Sequence, residues 1–175
     1  MRIEPVQQYE IRKANRGDMP ACGRILNDWI DETPWMPRVN SHEDVVRHHC
    51  EFVFENRTVF IADVLKTVTG FAATSSDGFV TGLYLAKDAR GKGIGRSLLE
   101  RLKEENPDGL KLWTFVANAR GRKFYEREGF NEVRRTSGEN EEKLPDILFA
   151  WRPECKDPDH GSDGSLTRKH SVDAV

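Results

Sequence analysis

The stretch Arg90-Gly91-Lys92-Gly93-Ile94-Gly95 decides the fold of this 175-residue chain. It follows a β-rich run, residues 79–86, and precedes a run whose apolar residues recur at helical spacing. A glycine-rich turn between a strand and a helix leaves backbone N–H groups unpaired and aimed outward. Because the positive end of the helix dipole lies there as well, such a turn is suited to a phosphate. Arg90, Lys92 and Arg96 add positive charge at the same place.

The spacing of this turn excludes two common phosphate-binding motifs. A Walker turn needs Gly-x-x-x-x-Gly-Lys-Ser/Thr, whereas Lys92 lies inside the turn and no Ser or Thr follows it directly. A dinucleotide fingerprint needs Gly-x-Gly-x-x-Gly, and the spacing here is Gly-x-Gly-x-Gly. A turn that merely connects strand to helix is the alternative that the segment alone leaves open.

The rest of the chain predicts a mixed α/β domain. Alternating or continuous apolar runs predict strands at 9–14, 58–65, 68–75, 79–86, 110–116, 130–135 and 147–151. Helical spacing predicts a helix that ends before Pro34, one that begins at Ser41, one after the glycine turn and one at 119–128. We therefore expect a central, largely antiparallel sheet of about seven strands flanked by about four helices. The domain is expected to span residues 1–152, and the polar segment 153–175 to be a disordered tail.

Charge and hydropathy exclude several classes of protein. With 27 Lys and Arg against 29 Asp and Glu, the net charge is -2, which argues against a general nucleic-acid binder. No stretch approaches the roughly 20 apolar residues of a transmembrane helix, and the first ten residues lack a signal-peptide pattern. The three cysteines are odd in number and widely separated, so no disulfide framework is expected. We expect a cytoplasmic protein without a membrane partner.

The cluster His48-His49-Cys50, with His42 nearby, contains residue types that bind zinc. Adjacent residues on a helix point about 100° apart and cannot converge on one ion. The sequence therefore predicts an ordinary helix, with Cys50 facing inward and the histidines in solvent, and no metal.

Two motifs in order resemble the GCN5-related N-acetyltransferase superfamily. Arg90-x-x-Gly93-x-Gly95 resembles its acetyl-coenzyme A signature, and the second motif follows as Asn118-x-x-Gly121-x-x-Phe124-Tyr125-Glu126-x-x-Gly129-Phe130. The order of predicted strands and helices resembles that of the family over residues 11–151. The specific motifs lie between about residue 83 and residue 130. The resemblance implies an acetyl-CoA-dependent N-acetyltransferase, monomeric or homodimeric, whose acceptor is a primary amine of a small molecule or a peptide. Family members often carry Ala at Gly121, so this glycine should weaken its helix by up to about 1 kcal/mol.

The resemblance also assigns the coenzyme site. The amides of the glycine turn would hold the pyrophosphate, with Arg90 beside them: Gly91, Lys92, Gly93, Ile94, Gly95 and Arg96. The pantetheine arm would pair with the strand Leu83-Tyr84-Leu85, in a gap where this strand splays away from residues 110–116. Asn118 would line the opening of the gap. Arg122 and Lys123 would reach the adenosine phosphates, although charged residues on a helix commonly form only its solvated face.

Acyl transfer to an amine needs an oxyanion donor, an acid for the leaving thiolate and a base. The resemblance implies the Leu85 N–H as donor and Tyr125 as acid, since a phenol with a pKa near 10 is protonated at neutral pH. The predicted strand before Leu85 has no carboxylate, so the base is open. The candidates are a water chain or an acid from elsewhere, such as Glu32, Glu132, Glu141 or Asp146.

Acceptor recognition has equally open alternatives. Trp29, Trp35 and Met36 fall where family members build one wall of the acceptor cleft, and Tyr84 would face it from the sheet. Core packing of Trp29 and anchoring of a loop by Trp35 are the alternatives. An acidic group before the last strand would attract a cationic amine or simply be a solvated loop: Glu139, Glu141, Glu142 and Asp146.

Two other functions stay open at this point. One is a module that binds acetyl-CoA without turnover. The absence of a carboxylate on the strand before Leu85 favours it, whereas the presence of Tyr125 argues against it. The other is a protein that binds a partner through its tail, and residues 153–175 are the only evidence for it.

Overall fold

A computed structural model describes residues 8–154 of the chain. Its strands are β1 (Glu10–Lys13), β2 (Thr58–Val64), β3 (Thr67–Thr74), β4 (Val80–Leu85), β5 (Leu110–Phe115), β6 (Asn131–Thr136) and β7 (Asp146–Trp151). The helices are α1 (Met19–Glu32), α2 (His42–His48), α3 (Ile94–Glu105) and α4 (Ala119–Arg127). After α2 the helical path continues through a π turn (His49–Val53) and a last α turn (Phe54–Asn56). The predicted mixed α/β class, the strand order and the four main helices are confirmed.

The strands of the described part are divided between two antiparallel sheets. One has the order β1-β2-β3-β4, and the other has the order β5-β7-β6. The two sheets meet at an isolated parallel bridge between Phe79 and Lys111, beside which the Lys111 N–H donates to the Gly78 carbonyl at 3.0 Å. Since this bridge precedes β4 and lies at the start of β5, the two parallel strands are joined only at their beginnings.

The core lies on both faces of the first sheet. On one face, the apolar stripe of α3 packs against residues of both sheets, including Phe60 of β2 and Phe149 of β7. On the other face, α1 and the π turn pack against Ile61 and Phe71. Neighbouring residues of β2 thus enter opposite clusters, as the period of two in a strand requires. Helix α3 therefore holds the two sheets together although their strands separate.

The π turn corrects one prediction. His49 is buried rather than solvated: its Nδ1 donates to the Val45 carbonyl at 2.8 Å, and its ring contacts that of Phe71. Burial holds the pKa of His49 below its usual value. The π turn begins at His49 and changes which residues face the sheet. Cys50, expected to face inward, is half-buried against the same cluster.

Three further features bear on the sequence-based predictions. Within residues 8–154 no group of three or more His, Cys, Asp or Glu side chains is arranged to hold a metal ion. Over the same residues, no helix combines the length and apolarity that crossing a membrane requires. The last strand ends at Trp151, and nearly all of the predicted tail lies outside the described residues.

Candidate active site

The gap between β4 and β5 is lined by the peptide groups of two leucines. The Ala86 N–H donates to the Thr69 carbonyl at 2.8 Å, which makes this a hydrogen-bonded pair of the β3–β4 ladder. Pairs alternate along an antiparallel ladder, so the peptide groups of Leu85 and Leu83 point away from β3. They face the side on which β4 and β5 separate.

The glycine turn lies at the open end of this gap. Gly91 and Gly93 have φ angles of 72° and 80°, which glycine adopts without strain. A side chain at Gly91 would meet nothing within 4 Å, so this part of the turn faces open space. Gly93 is the N-cap of α3 and supplies no capping side chain, so the first amides of α3 have no cap from a side chain. At Gly95 an added Cβ would lie 3.4 Å from the Leu85 side chain, which places the start of α3 against the end of β4.

Two buried guanidinium nitrogens in these motifs suit an anionic ligand. Arg90 Nη2 and Arg122 Nε are buried, and no partner for either exists among residues 8–154. A buried donor without an acceptor is costly, and a phosphate oxygen is a strong acceptor. The exposed Arg96 adds positive charge, with only a long contact of 3.6 Å to Glu128. The turn and these donors together fit a phosphate-bearing coenzyme.

The side chain of Arg90 also ties three segments together. Its Nε donates to the Leu85 carbonyl at 3.1 Å, and its Nη1 donates to the Glu32 carboxylate at 2.9 Å. Arg90 thus connects the glycine turn with the last residue of β4 and the end of α1.

Asn118 caps α4, and Gly121 makes room for it. The Asn118 side-chain oxygen accepts from the Gly121 N–H at 3.0 Å. A Cβ at position 121 would lie 2.4 Å from the Asn118 side-chain nitrogen, so an alanine there would force Asn118 to move. The structural reason for this glycine is therefore the position of Asn118, in addition to its effect on helix propensity.

Tyr125 and Tyr84 approach the gap from opposite faces of the sheets. Tyr125 packs with the core that α3 covers, and Tyr84 packs with the core that α1 covers. Burial is the main cause that raises the pKa of both phenols, that of Tyr84 to about 12. A smaller cause acts on each phenol as well, the Glu142 carboxylate on Tyr84 and the Tyr84 phenol, once ionised, on Tyr125. Neither hydroxyl has a hydrogen-bond partner in the described part of the chain, and neither is sealed from solvent.

The predicted acceptor residues meet in a row of aromatic rings that we call the aromatic row: Tyr84, Trp29, Trp35 and Phe115. Ring centroids are 5.2 Å apart for Tyr84 and Trp29, 5.8 Å for Trp29 and Trp35, and 5.8 Å for Trp35 and Phe115. The row runs from β4 to β5, across the two strands that separate. Sequence reasoning missed Phe115 because it stood at the end of an apolar strand with nothing to distinguish it from core.

Most acids considered as the base have partners. Glu32 pairs with Arg90, and Glu132 with Arg135, which holds the pKa of Glu132 below its usual value. Asp146 is buried and accepts from the Thr136 hydroxyl and, at 2.9 Å, from the side-chain nitrogen of Asn140. Glu141 is exposed.

Glu142, which sequence reasoning placed only in the acidic loop, is different. It is half-buried, it has no hydrogen-bond or ion-pair partner among residues 8–154, and its carboxylate acts on the Tyr84 phenol. No sequence pattern marks Glu142, because its surroundings depend on how the loop between β6 and β7 folds.

The sequence is similar to those of known acetyltransferases. A family model described as Acetyltransferase (GNAT) domain matches residues 55–132. The peptidyl-lysine N-acetyltransferase YiaC of Escherichia coli is 25% identical over 144 residues, which are 81% of this chain and 95% of that protein.

Solved structures show the same fold. yncA from Salmonella typhimurium, solved with its cofactor acetyl-CoA, superposes with a TM-score of 0.67 at 21% identity over 86% of this chain and 98% of that one. A ribosomal-protein-alanine N-acetyltransferase from Brucella melitensis gives 0.67 at 23% identity over 82% and 99%.

Proposed function

We propose that the chain is an acetyl-CoA-dependent acetyltransferase of the GCN5-related N-acetyltransferase superfamily and that it acetylates a primary amine of a small molecule or a protein. The amine attacks the thioester directly, through a tetrahedral intermediate. The observation that carries the proposal is the gap between β4 and β5, where the peptide groups of Leu83 and Leu85 point away from β3 and the glycine turn lies at the open end. The name of YiaC concerns peptidyl-lysine, whose side chain is a primary amine.

The coenzyme is proposed to bind along β4 and at the start of α3. The amides of residues 91–96 hold the pyrophosphate, and the unpartnered nitrogens of Arg90 and Arg122 supply further donors. The pantetheine arm runs beside Leu83 and Leu85 as an additional strand would and pairs with the peptide groups of Leu83, while the Leu85 N–H faces the thioester and the Leu85 carbonyl stays with Arg90. The peptide groups of Tyr84 face β3, so Tyr84 contributes to the coenzyme site only through its side chain. Asn118, fixed as the cap of α4, lies at the opening.

The reaction requires negative charge to be stabilised on the carbonyl oxygen. The Leu85 N–H is proposed to donate to this oxygen, and a preorganised donor of this kind is worth roughly 2.7–4 kcal/mol. The nitrogen forms a bond to the carbonyl carbon, the carbon–sulfur bond breaks, and the sulfur takes up a proton. Tyr125 is proposed to give that proton, since burial keeps its phenol protonated.

The amine must lose its proton before or during the attack. An alkylammonium has a pKa near 10.4, so at pH 7 the free amine costs roughly 4.6 kcal/mol. Because Glu32, Glu132 and Asp146 are each held by a partner and Glu141 is exposed, a water chain fits this step better.

The boundaries and assembly belong to the same proposal. Residues 1–152 form the acetyltransferase domain, residues 153–175 form a tail outside it, and the protein is a monomer or a homodimer. Size-exclusion chromatography with light scattering measures the assembly state.

Thiol release tests the proposed activity. The purified full chain is incubated with acetyl-CoA and, separately, with polyamines, aminoglycosides, amino acids, peptide N-termini and lysine-containing peptides. Release of CoA thiol that depends on the amine, with a gain of one acetyl group in its mass, is expected for at least one class. Binding of acetyl-CoA without thiol release for any amine would leave only a module that binds the coenzyme.

A further inference from the structure

The acceptor side of the gap has an aromatic wall. The aromatic row connects Tyr84 near the end of β4 with Phe115 at the end of β5, where the two strands are apart. Stacked and edge-on rings offer apolar contact for methylene groups. Their faces also attract a cation, by about 0.5–1 kcal/mol at exposed sites and more where water is excluded.

An acidic loop lies at the same end of the sheet as this wall. The loop between β6 and β7 begins beyond Thr136 and is held against the end of β5, because the Val116 N–H donates to the Pro145 carbonyl at 2.9 Å. Phe115 is paired with Asp146, so the loop and the aromatic row lie at the same end of the sheet.

Glu142 lies near the middle of a braced turn in this loop. The side chain of Asn140 accepts from the Leu144 N–H at 3.1 Å and donates to the Leu144 carbonyl at 2.8 Å. The position of Glu142 is thereby fixed from within the loop. Besides burial, the Glu142 carboxylate contributes to raising the pKa of Tyr84, a member of the aromatic row.

Glu142 differs from the other acids of its loop. Glu139 and Glu141 are exposed, and Asp146 is buried with its oxygens occupied by Thr136 and Asn140. Only Glu142 of these four is both half-buried and without a partner among residues 8–154. A half-buried carboxylate is stabilised when a cation joins it, and the apolar rings around the gap strengthen that attraction.

We propose that Glu142 and the aromatic row select a lysine-like acceptor, a primary alkylammonium on an unbranched methylene chain. The methylenes lie against the rings of Trp29 and Trp35, and the ammonium is held by the Glu142 carboxylate beside Tyr84. Glu142 binds the cation and selects the acceptor, whereas the transfer itself uses the groups at the thioester. The inference rests on the proposed function, since it names the acceptor of the same site.

The test compares the full chain with two single variants, Glu142→Gln and its exposed neighbour Glu141→Gln. The acceptor is Nα-acetyl-lysine amide, whose only amine is the side chain, and the competitor is Nα-acetyl-norleucine amide, which keeps the methylenes but lacks the ammonium. Each substitution removes one negative charge, so the pair separates a local contact from the general charge of the loop. Circular dichroism and the KM for acetyl-CoA report whether each variant is folded.

We expect Glu142→Gln to raise the KM for the lysine amide by about tenfold, because a hydrogen bond to a charged group of this kind is lost. Its kcat, its KM for acetyl-CoA and its inhibition by the norleucine amide should stay near the wild-type values. Glu141→Gln should change the KM for the lysine amide by less than about twofold, as an exposed charge does. Glu142→Asp, which keeps the carboxylate, should have a KM between those of the wild type and Glu142→Gln.

An equal KM for the wild type and Glu142→Gln would overturn the inference while leaving the proposed function standing. An equal rise in both Gln variants would also overturn it, because the effect would then belong to the charge of the loop. Failure of the wild-type chain to acetylate any amine would instead remove the proposed function, and the inference with it.

Discussion

The guanidinium of Arg90 donates from Nε to the carbonyl of Leu85 at 3.1 Å, so the residue that opens the glycine turn also holds the last residue of β4. Its Nη1 reaches Glu32 at the end of α1. The side chain therefore fixes the distance between the proposed pyrophosphate site and the proposed oxyanion donor, the Leu85 N–H. Arg90 is therefore proposed to position Leu85 in addition to binding phosphate.

Replacing Arg90 tests that role. Arg90→Met keeps an unbranched apolar stem but removes the guanidinium donors to Leu85 and Glu32. We expect the free energy of unfolding to fall by about 1–3 kcal/mol and the KM for acetyl-CoA to rise. Urea denaturation and steady-state kinetics measure the two effects. Lys87→Met, which removes an exposed cation three residues before Arg90, is the matched control and should leave both unchanged. Wild-type stability in Arg90→Met would show that the contacts of Arg90 contribute nothing.

The phenol of Tyr125 can be removed with little change in packing. We expect Tyr125→Phe to lower kcat by about a hundredfold, the lower range for loss of a general acid. The dissociation constant for acetyl-CoA, measured by calorimetry, should change little because the ring and its contacts remain. Tyr84→Phe removes the other phenol of the gap and should keep most of kcat. Equal activity of Tyr125→Phe and the wild type would exclude Tyr125 as the acid.

Raising the pH tests the burial of Tyr84. Both folded and unfolded chains hold the Tyr84 proton below pH 10, whereas from pH 10 to about 12 the unfolded chain loses it and the folded chain keeps it. The phenol therefore destabilises the folded state progressively as the pH rises through this window. We expect the free energy of unfolding, measured in urea at pH 9 and pH 11, to fall less in Tyr84→Phe than in the wild type. Parallel decreases in the two proteins would mean that the Tyr84 phenol is not buried.

Hydrophobic periodicity and turn residues predicted most of the strands and helices correctly. The helix expected after the glycine turn begins directly after the left-handed Gly93 and ends before Asn106-Pro107, because local conformational preferences set these limits. The π turn at His49 was missed, since an i+5 hydrogen bond leaves no pattern in a short helix.

The site was less predictable than the fold. Glycines and Asn118 act through their own backbone or their nearest neighbours, so their spacing in the sequence carries the information. Phe115 and Glu142 take part because β5, β6 and β7 bring them beside residues far away in the chain. The sequence also does not show which acids have hydrogen-bond partners. Asp146, for example, accepts from Asn140 only because the loop folds back on itself.

Shortening the chain tests the proposed boundary. β7 lies between β5 and β6 and ends at Trp151, so a chain that ends at Glu154 keeps every strand. We expect its kcat and its midpoint of thermal unfolding to equal those of the full chain. A chain that ends at Pro145 lacks β7 and should not fold, because both neighbours of β7 lose their partner. Loss of activity on removal of residues 155–175 would place part of the working domain in that segment.

The central claim is that an amine meets the thioester in the gap between β4 and β5. Its most direct test follows one reaction mixture of the full chain, acetyl-CoA and Nα-acetyl-lysine amide by thiol titration and by mass spectrometry together. We predict that CoA thiol and side-chain-acetylated product appear in equal amounts and that Tyr125→Phe slows both equally. Retention of the acetyl group on coenzyme A, with acetyl-CoA bound and no acetylated amine formed, would contradict the account.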